Sequence, residues 1–438
     1  MTLIDLSPTV RRSPRLDSLP VAIIGAGPIG LATAANLVER GIDFVVYESG
    51  ASAASSVDAW RHIRLFSGWR ELVDPSARRL LADTDWSEPA PGVVPYAGEL
   101  IDGYLAPLAA LESIASRTHT GVTVLSVTRE GMDRTRSAGR DTTPFTLRLR
   151  DDDGAISEVA ARAVIDASGT YTQPNSLSSN GLEPLGFAEV TDRISHALPD
   201  VLGRERARFA GKRIAVVGAG HSAANTLINL AKLAREDDGT RVTWVIRNAS
   251  AVRVSASEED DLPGRASLGE QVNQLVKNGS IDVIDSFEIV RLKAIDAGAV
   301  LVGSRHGALE ELEVDVVVNA TGFRPDLDML REIRLELDEV VEAPKRLARL
   351  IDPNVHSCGT VAPHGFVELQ QPETNFFIAG MKSYGRAPTF LLATGYEQVR
   401  SITAWLDKDF ASASKVELVL PATGVCSTDT AEGASCCS

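Results

Sequence analysis

The stretch VAIIGAGPIGLATAANLVERGIDFVVYESG, residues 21–50, sets the fold of the first part of this chain. It opens on the short apolar run 21–24, which predicts a strand buried on both faces. Three glycines follow at the spacing G-x-G-x-x-G, namely Gly25, Gly27 and Gly30. Strand, glycine turn, helix and second strand in this order predict a dinucleotide-binding unit of the doubly wound α/β type.

Each part of the motif has a separate physical task. Gly25 permits the sharp turn, Gly27 lets a pyrophosphate approach the backbone, and Gly30 lets the helix lie close to the strand. The predicted helix, about Ile29–Arg40, directs its first N–H groups at the phosphates. A second strand delivers Glu48, 23 residues after Gly25, to accept the ribose hydroxyls of an adenosine. The candidate cofactor contacts here are Gly25, Gly27, Pro28, Ile29, Gly30 and Glu48. A nucleotide-free fold with a tight turn is the alternative.

Composition restricts the function classes. The chain has 438 residues, 44% of them hydrophobic and 24% charged, which is ordinary for a globular protein of two or three domains. The net charge of −15 disfavours nucleic acid and anionic membranes as partners. No apolar run approaches the roughly 20 residues that span a bilayer. Residues 1–20 contain three arginines and no apolar signal-peptide core, so we expect a polar arm and a cytoplasmic protein.

A loop rich in tryptophan and arginine follows the first unit. Two tryptophans and three arginines between residues 60 and 70 favour a loop over an aromatic ligand, with Trp60 and Arg64 as candidate cofactor contacts. A surface loop whose aromatic side chains cover core is the alternative. Farther on, Gly169 follows a predicted buried strand, and the small residues there permit close contact with a cofactor. We also predict helices over 96–111, 327–350 and 391–406, and strands near 122–127, 145–149, 163–167, 281–284, 300–302, 314–318 and 376–379.

A second nucleotide unit begins 193 residues after the first. Strand 212–217 leads into G-x-G-x-x-A at 218–223 and a helix over 221–235, so two separate sites are predicted. The strand 242–246 then ends in Arg247, where an acid would hold the 2′-hydroxyl of NAD. An arginine favours the 2′-phosphate of NADP, although an ordinary surface arginine is the alternative. The candidate contacts of this unit are Gly218, Gly220, His221, Ser222, Ala223 and Arg247.

Over roughly residues 18–410 the chain resembles the flavin-containing monooxygenases and their relatives with two dinucleotide-binding domains. The similarity is carried by GAGPIG with Glu48, by the stretch 209–225, by NATGFRPD at 319–326 and by IAGMKS at 378–383. It implies FAD on the first unit and NADPH on the second. It also implies that Thr321 and Gly322 lie on the NADP side, and that Gly380 and Met381 lie near the flavin ribityl and pyrophosphate.

The chain departs from that family at three places. An asparagine that helps to hold the flavin hydroperoxide in the family corresponds here to Phe66 and Ser67, which leaves Ser67 as a catalytic candidate beside FAD. Met381 replaces the usual acid of the last flavin motif. Only a fragment of the F-x-G-x-x-x-H pattern survives, around Ser195 and His196.

The predicted architecture is α/β, with two Rossmann-like domains, each carrying a small β-meander, and the NADPH domain inserted in the FAD domain. We predict a flexible arm over 1–20, FAD-binding parts over 21–200 and 331–410, an NADPH-binding domain over 201–330 and a flexible tail over 411–438. A homodimer is common for this architecture and is one expectation for the oligomeric state.

Three of the four cysteines, Cys426, Cys436 and Cys437, lie in the last thirteen residues. Such an end resembles those of flavin-binding monooxygenases from arsenic-resistance operons. Thiolates are soft ligands that favour soft ions, so this tail is a candidate metalloid site, and a functionally silent end is the alternative. His356, Cys358 and His364 fit no standard zinc spacing, which favours a structural or pocket role.

The resemblance implies an FAD- and NADPH-dependent monooxygenase that acts through a flavin C4a-hydroperoxide. Its substrates would be O2 and a small molecule with a soft nucleophilic atom, including a trivalent arsenical. In such an enzyme the chemistry belongs to the flavin, which agrees with the absence of a catalytic triad or paired-carboxylate signal. Two alternatives stay open: an NADPH-dependent flavoprotein reductase of another acceptor, and a metalloid-binding flavoprotein without oxygenase activity. No C-x-x-C or C-x-x-x-x-C pair follows the first glycine motif, which argues against a disulfide acceptor.

Overall fold

The computed structural model describes residues 14–249, 263–352, 363–388 and 390–418. Its strands are β1 (Val21–Ile24), β2 (Phe44–Tyr47), β3 (Thr118–His119), β4 (Thr123–Arg129), β5 (Phe145–Arg150), β6 (Ile156–Ala161), β7 (Ala163–Asp166), β8 (Ile194–Ser195), β9 (Arg213–Val217), β10 (Arg241–Val245), β11 (Asp282–Ile284), β12 (Phe287–Ile295), β13 (Gly298–Arg305), β14 (Ala308–Val314), β15 (Val316–Asn319) and β16 (Phe376–Ile378).

The α-helices are α1 (Pro14–Asp17), α2 (Pro28–Glu39), α3 (Ser55–Asp58), α4 (Trp69–Leu72), α5 (Pro75–Ala82), α6 (Ala97–Leu100), α7 (Ala106–Ala109), α8 (Glu112–Ala115), α9 (Arg206–Phe209), α10 (His221–Glu236), α11 (Pro263–Lys277), α12 (Lys345–Ile351), α13 (Phe366–Leu369), α14 (Leu392–Leu406) and α15 (Phe410–Ser414). In the described part of the chain, every helix is too short or too polar to span a bilayer.

The first sheet is parallel, with the strand order β16-β7-β1-β2-β3. Alternate residues of β1 point to opposite faces, as the period of a strand requires. Val21 and Ile23 pack into a core shared with helices α2, α5 and α14. Ala22 and Ile24 pack against the antiparallel three-stranded sheet β4-β5-β6 on the other face. Both faces of the strand are therefore covered, which explains why all four of its residues are apolar.

The second sheet repeats this plan with the strand order β11-β10-β9-β15-β8, again all parallel. Ile214 and Val216 of β9 pack against α10 and α11. Ala215 and Val217 pack against the antiparallel sheet β12-β13-β14. All strands of this second sheet fall in sequence between β7 and β16 of the first. The structure thus confirms the fold class: two Rossmann-like units, one inserted in the other, each with a small meander.

One predicted helix is wrong and another is modified. The sequence predicts a helix over 327–350, but the structure has only a 3-10 turn at Asp328–Leu330 and α12, which begins after Pro344. The preceding chain turns at Asp338, whose carboxylate accepts the N–H groups of Val340 and Val341. The segment 96–111 is helical with a π-helical turn at Ile101–Leu105. Because Pro107 has no N–H to offer, the Gly103 carbonyl is free to accept the Trp86 indole N–H at 2.7 Å.

A buried carboxyl group makes the stability of the first unit pH-dependent. Asp74 caps α5 through the Ala77 N–H and is only 1% exposed, and burial raises its pKa to about 6. A carboxyl whose folded pKa lies above its unfolded value stabilises the fold at low pH and loses that contribution as pH rises through about 6. We therefore expect the unfolding free energy from this group to fall by about 3 kcal/mol between pH 4 and pH 7.

Asp74→Asn tests this expectation, because asparagine caps helices as well as aspartate does and carries no charge. Urea unfolding of both proteins across that pH range should show a flatter profile for the variant. Parallel profiles would contradict the assignment.

Candidate functional site

The first glycine turn lies at the carboxyl end of β1. Gly25 adopts a φ of +95°, and a Cβ there would lie 3.0 Å from the Ala167 carbonyl oxygen and from the Ser168 Cα. A Cβ at Gly30 would lie 1.9 Å from the Gly25 carbonyl oxygen. The turn is therefore closed on two sides by backbone, and both positions require glycine for packing within the protein itself.

The third glycine faces open space. A Cβ at Gly27 would meet no atom within 4 Å, and Gly27 begins α2 without a side-chain cap. The first N–H groups of a twelve-residue helix thus lie beside open space, which is the arrangement that binds a phosphate. We call this space, bounded by Gly25, Gly27 and the start of α2, the first cradle. Pro28 occupies the first turn, where a missing N–H costs least. These residues fit the pyrophosphate of FAD.

Ile29 packs this cradle against the C-terminal part of the first unit, after β16. Its side chain fills a notch between Gly380 and Gly395, where added Cβ atoms would come within 2.9 and 2.4 Å of it. The Gly380 N–H donates to the Gln398 Oε1 at 2.8 Å, and the same amide donates to the Ser383 hydroxyl. The structure thus brings the predicted Gly380 against the first glycine motif, with Met381 half-buried beside it. Sequence reasoning missed Gly395 and Gln398.

Glu48 follows β2 and is 8% exposed. Its Oε2 accepts the Ala26 N–H at 2.7 Å, and its Oε1 accepts the Gly50 N–H at 2.7 Å. The carboxylate therefore ties the glycine turn to the chain after β2. Each carboxylate oxygen can accept a second bond, so acceptor capacity remains for ribose hydroxyls.

Glu48→Gln should weaken FAD binding by about tenfold or more, because its NH2 group would face one of these two backbone donors and lose that bond. Equilibrium dialysis against FAD measures the change. Glu71→Gln, in the first turn of α4, is the control. A Glu48→Gln protein with wild-type affinity would remove Glu48 from the site.

The loop predicted to cover a ligand packs against the first unit. Trp60 packs half-buried against the core of the first unit. Arg64 is exposed and donates to the Val94 carbonyl at 3.3 Å. Ser67 is half-buried, and its neighbour Phe66 lies 5.4 Å from the His221 ring, centroid to centroid. Phe66 thus joins the loop of the first unit to the first residue of α10 in the second.

The second glycine turn repeats the geometry of the first. Gly218 adopts a φ of +131°, and a Cβ there would lie 2.2 Å from the Ala320 carbonyl oxygen. A Cβ at Gly220 would meet no atom within 4 Å, and α10 begins there without a side-chain cap. The Trp244 indole N–H donates to the Gly218 carbonyl at 2.7 Å and fixes the turn. This cradle, which continues through His221, Ser222 and Ala223, fits a second pyrophosphate.

Thr321 and Gly322 lie where the chain leaves the second sheet. The Thr321 hydroxyl is 2.7 Å from the Asn319 Oδ1 and 3.0 Å from the Asn175 carbonyl oxygen. The Asn175 N–H donates to the Gly322 carbonyl, so the two connections between the units run side by side. Gly169, with a φ of +72° and no atom near an added Cβ, lies on the first of these connections.

Arg247 is exposed, two residues past the end of β10. Within 14–249, 263–352, 363–388 and 390–418, no ion pair joins it to another residue, and its role toward the 2′-phosphate stays a prediction. Arg247→Ala should raise the KM for NADPH about tenfold and leave the KM for NADH unchanged, because only NADPH carries the 2′-phosphate. Steady-state kinetics with both cofactors measures this. Arg241→Ala, at the start of β10, is the control, and an equal loss with both cofactors would contradict the role.

Several predicted residues lie outside the described part of the chain: Cys426, Cys436 and Cys437, together with His356 and Cys358. His364 is described and is 1% exposed, with its Nε2 at 2.9 Å from the Gln398 Nε2. Among the residues that the structure describes, no group of three potential ligands is placed to hold a metal ion.

Two family models match the chain. The model described as pyridine nucleotide-disulphide oxidoreductase matches residues 152–345, and the model described as an NAD(P)-binding Rossmann-like domain matches residues 23–82. Each match contains one of the two glycine turns. YUCCA6, an indole-3-pyruvate monooxygenase of Arabidopsis thaliana, is 27% identical over 400 residues, which cover 88% of this chain and 78% of that protein. The chain is a flavin-dependent NADPH oxidoreductase.

Relatives of this oxidoreductase include reductases as well as monooxygenases. A ferredoxin–NADP reductase of Granulibacter bethesdensis is 26% identical over 373 residues, which cover 83% of this chain and 88% of that protein. The bacillithiol disulfide reductase Bdr of Bacillus cereus shares its fold, with a TM-score of 0.64 and 20% identity over 89% of this chain and 99% of that one. The ornithine hydroxylase PvdA of Pseudomonas aeruginosa has a TM-score of 0.62 and 17% identity over the same shares.

The comparisons give FAD and NADPH as the cofactors, and the two glycine turns fit two dinucleotides. The expected resemblance to flavin-dependent monooxygenases is confirmed at this level. The association with arsenic resistance is not shown by these relatives.

Proposed function

We propose that the oxidoreductase is an FAD- and NADPH-dependent monooxygenase that places one oxygen atom of O2 on a soft nucleophilic atom of a small molecule. The observation that carries this proposal is the absence of any cysteine before Cys358. Both glycine turns and all the chain between them thus lack the thiol pair that a flavin–disulfide relay requires. The long match to a plant monooxygenase supports the same reading.

FAD, when bound, would supply the two-electron redox chemistry that links NADPH to O2. The protein holds and orients the two cofactors and excludes water. Gly27 and the start of α2 would hold the FAD pyrophosphate, and Glu48 would hold its ribose. Gly220 and Arg247 would hold the phosphates of NADPH. Phe66 of the first unit contacts the ring of His221, which begins α10 in the second unit.

The test is a balance of atoms and electrons. In a monooxygenase, NADPH, a proton, O2 and the substrate give NADP⁺, water and an oxygenated product. Under ¹⁸O2, each mole of NADPH consumed should therefore give one mole of product that carries one labelled oxygen. The substrate panel contains thioethers and thiols, amines and trivalent arsenicals. Oxidation of NADPH that yields only hydrogen peroxide across the panel, with anaerobic reduction of ferredoxin or a disulfide, would instead establish a reductase.

The trivalent arsenical stays in the panel because of the tail. Arsenic in this state prefers sulfur ligands, and the tail offers three cysteines. Serine in place of Cys426, Cys436 and Cys437 should then lower activity on the arsenical alone. Unchanged activity would make the tail silent, and arsenical binding without any product would point to a metalloid-binding flavoprotein.

A further inference from the structure

A buried ion pair lies at the carboxyl edge of the first sheet. The Lys382 Nζ is 2.7 Å from the Asp166 Oδ2, and the two side chains are 1% and 0% exposed. Asp166 is the last residue of β7, and Lys382 follows β16 by four residues. The function described above uses neither residue. Asp166 is the one charged residue of β7, whose other three residues are apolar.

Ser168 closes this pair into a ring. Its N–H and its hydroxyl donate to the Asp166 Oδ1, at 3.1 and 2.6 Å. Its hydroxyl oxygen accepts a bond from the Lys382 Nζ at 3.1 Å. Lysine, serine and aspartate therefore each contact the other two. The conformation of residues 166–168 is thus fixed by the side chains of Asp166, Ser168 and, from the turn after β16, Lys382.

This ring adjoins the FAD cradle. In register, Asp166 lies between Ile24 of β1 and Ile378 of β16, so all three strands end together. In parallel sheets, ligands bind outside the carboxyl ends of the strands. Ser168 is exposed there, while its Cα lies 3.0 Å from where a Cβ of Gly25 would be. The turn at residues 166–168, which the ring fixes, therefore packs directly against the glycine turn at Gly25.

A buried ion pair is a poor device for stability alone. Removing two charges from water carries a large desolvation penalty, and well-packed apolar side chains of similar size often serve stability equally well. When further hydrogen bonds satisfy its charged groups, such a pair can instead hold the surrounding backbone in one conformation.

We propose that Lys382 and Asp166 are positioning residues for FAD, which act by holding Ser168 and its turn against the ribityl and pyrophosphate part of the cofactor. Their burial keeps both charges out of contact with the ligand, so their effect passes through Ser168. This role concerns cofactor binding and does not depend on whether the enzyme oxygenates its substrate.

Two changes of the full chain separate positioning from simple stability. Ser168→Ala removes the link and leaves the ion pair in place. The double variant Lys382→Met with Asp166→Asn removes both charges at nearly constant volume, so that no buried charge is left unpaired. The readouts are the Kd for FAD from equilibrium dialysis, the flavin absorption spectrum, and the melting temperature of the FAD-free chain. Arg148→Met with Glu158→Gln, an exposed ion pair of the same unit, is the matched control.

We expect both changes to weaken FAD binding about tenfold or more and to alter the flavin spectrum, with the FAD-free melting temperature unchanged. Ser168→Thr, which keeps the hydroxyl, should restore the affinity. Wild-type affinity in Ser168→Ala and in the double variant would overturn the proposal. So would a loss of affinity that only parallels a loss of melting temperature in both.

Discussion

Gly27→Ala is expected to weaken FAD binding about 100-fold, or roughly 3 kcal/mol, and to leave the FAD-free chain as stable as the wild type. Gly27 has a φ of −74° and a ψ of −173°, which alanine adopts without strain. The new methyl group would meet no protein atom within 4 Å, but it would occupy the space where the pyrophosphate approaches the backbone. The charge-assisted bonds from the start of α2 to the phosphates would then be lost.

The matched variant is Gly220→Ala in the second cradle. Gly220 has a φ of −99° and a ψ of −177°, and a methyl group there also meets no atom within 4 Å. If the assignment of cofactors is right, this protein keeps its FAD and loses NADPH affinity, whereas Gly27→Ala does the reverse. Dialysis against each cofactor and thermal melting measure both effects. A Gly220→Ala protein that releases flavin, or a Gly27→Ala protein that retains it, would show that the cradles are assigned wrongly.

The sequence allowed most of the two cradles to be predicted, because their chemistry depends on local spacing. A glycine turn, a helix start and an acid or arginine at the end of the next strand are set by the order of residues. The faces of β1 and β9 were predictable for the same reason, since an apolar run in a parallel sheet must be covered on both sides.

What sequence reasoning missed depends on residues that are distant in the chain. Gly395 and Ile29 meet only after the sheet has formed, and neither spacing nor composition relates them. Lys382 and Asp166 are separated by more than two hundred residues, and the one signal was a charged residue at the end of an apolar strand. The false helix over 327–350 has a similar origin. Its charged pattern suited a helix, but Leu330 and Ile333 are buried in the core beside the first meander, β4-β5-β6. The α-helix begins only after Pro344.

The second large effect is expected at a buried charge cluster that holds the first meander to β16. Glu373 accepts from the Arg129 Nε at 2.7 Å and from the Arg140 Nη2 at 2.8 Å, and the side chains of these three residues are at most 3% exposed. The Arg129 guanidinium also lies 3.6 Å from the Phe145 ring centroid. Burial alone would raise the pKa of Glu373, but the bonds from Arg140 and Arg129 outweigh it and lower that pKa.

Glu373→Gln should therefore lower the unfolding free energy by about 3–5 kcal/mol, because it leaves two buried guanidinium groups without their anion. The control is Glu158→Gln, whose partner Arg148 is exposed, and there the loss should be below about 1 kcal/mol. Urea unfolding at pH 7 followed by circular dichroism measures both. A carboxyl whose folded pKa is lowered contributes stability above its unfolded pKa and loses it as pH falls. The difference between wild type and Glu373→Gln should thus shrink below about pH 4.5. Equal losses in the two variants at pH 7 would show that the cluster contributes no more than a surface ion pair.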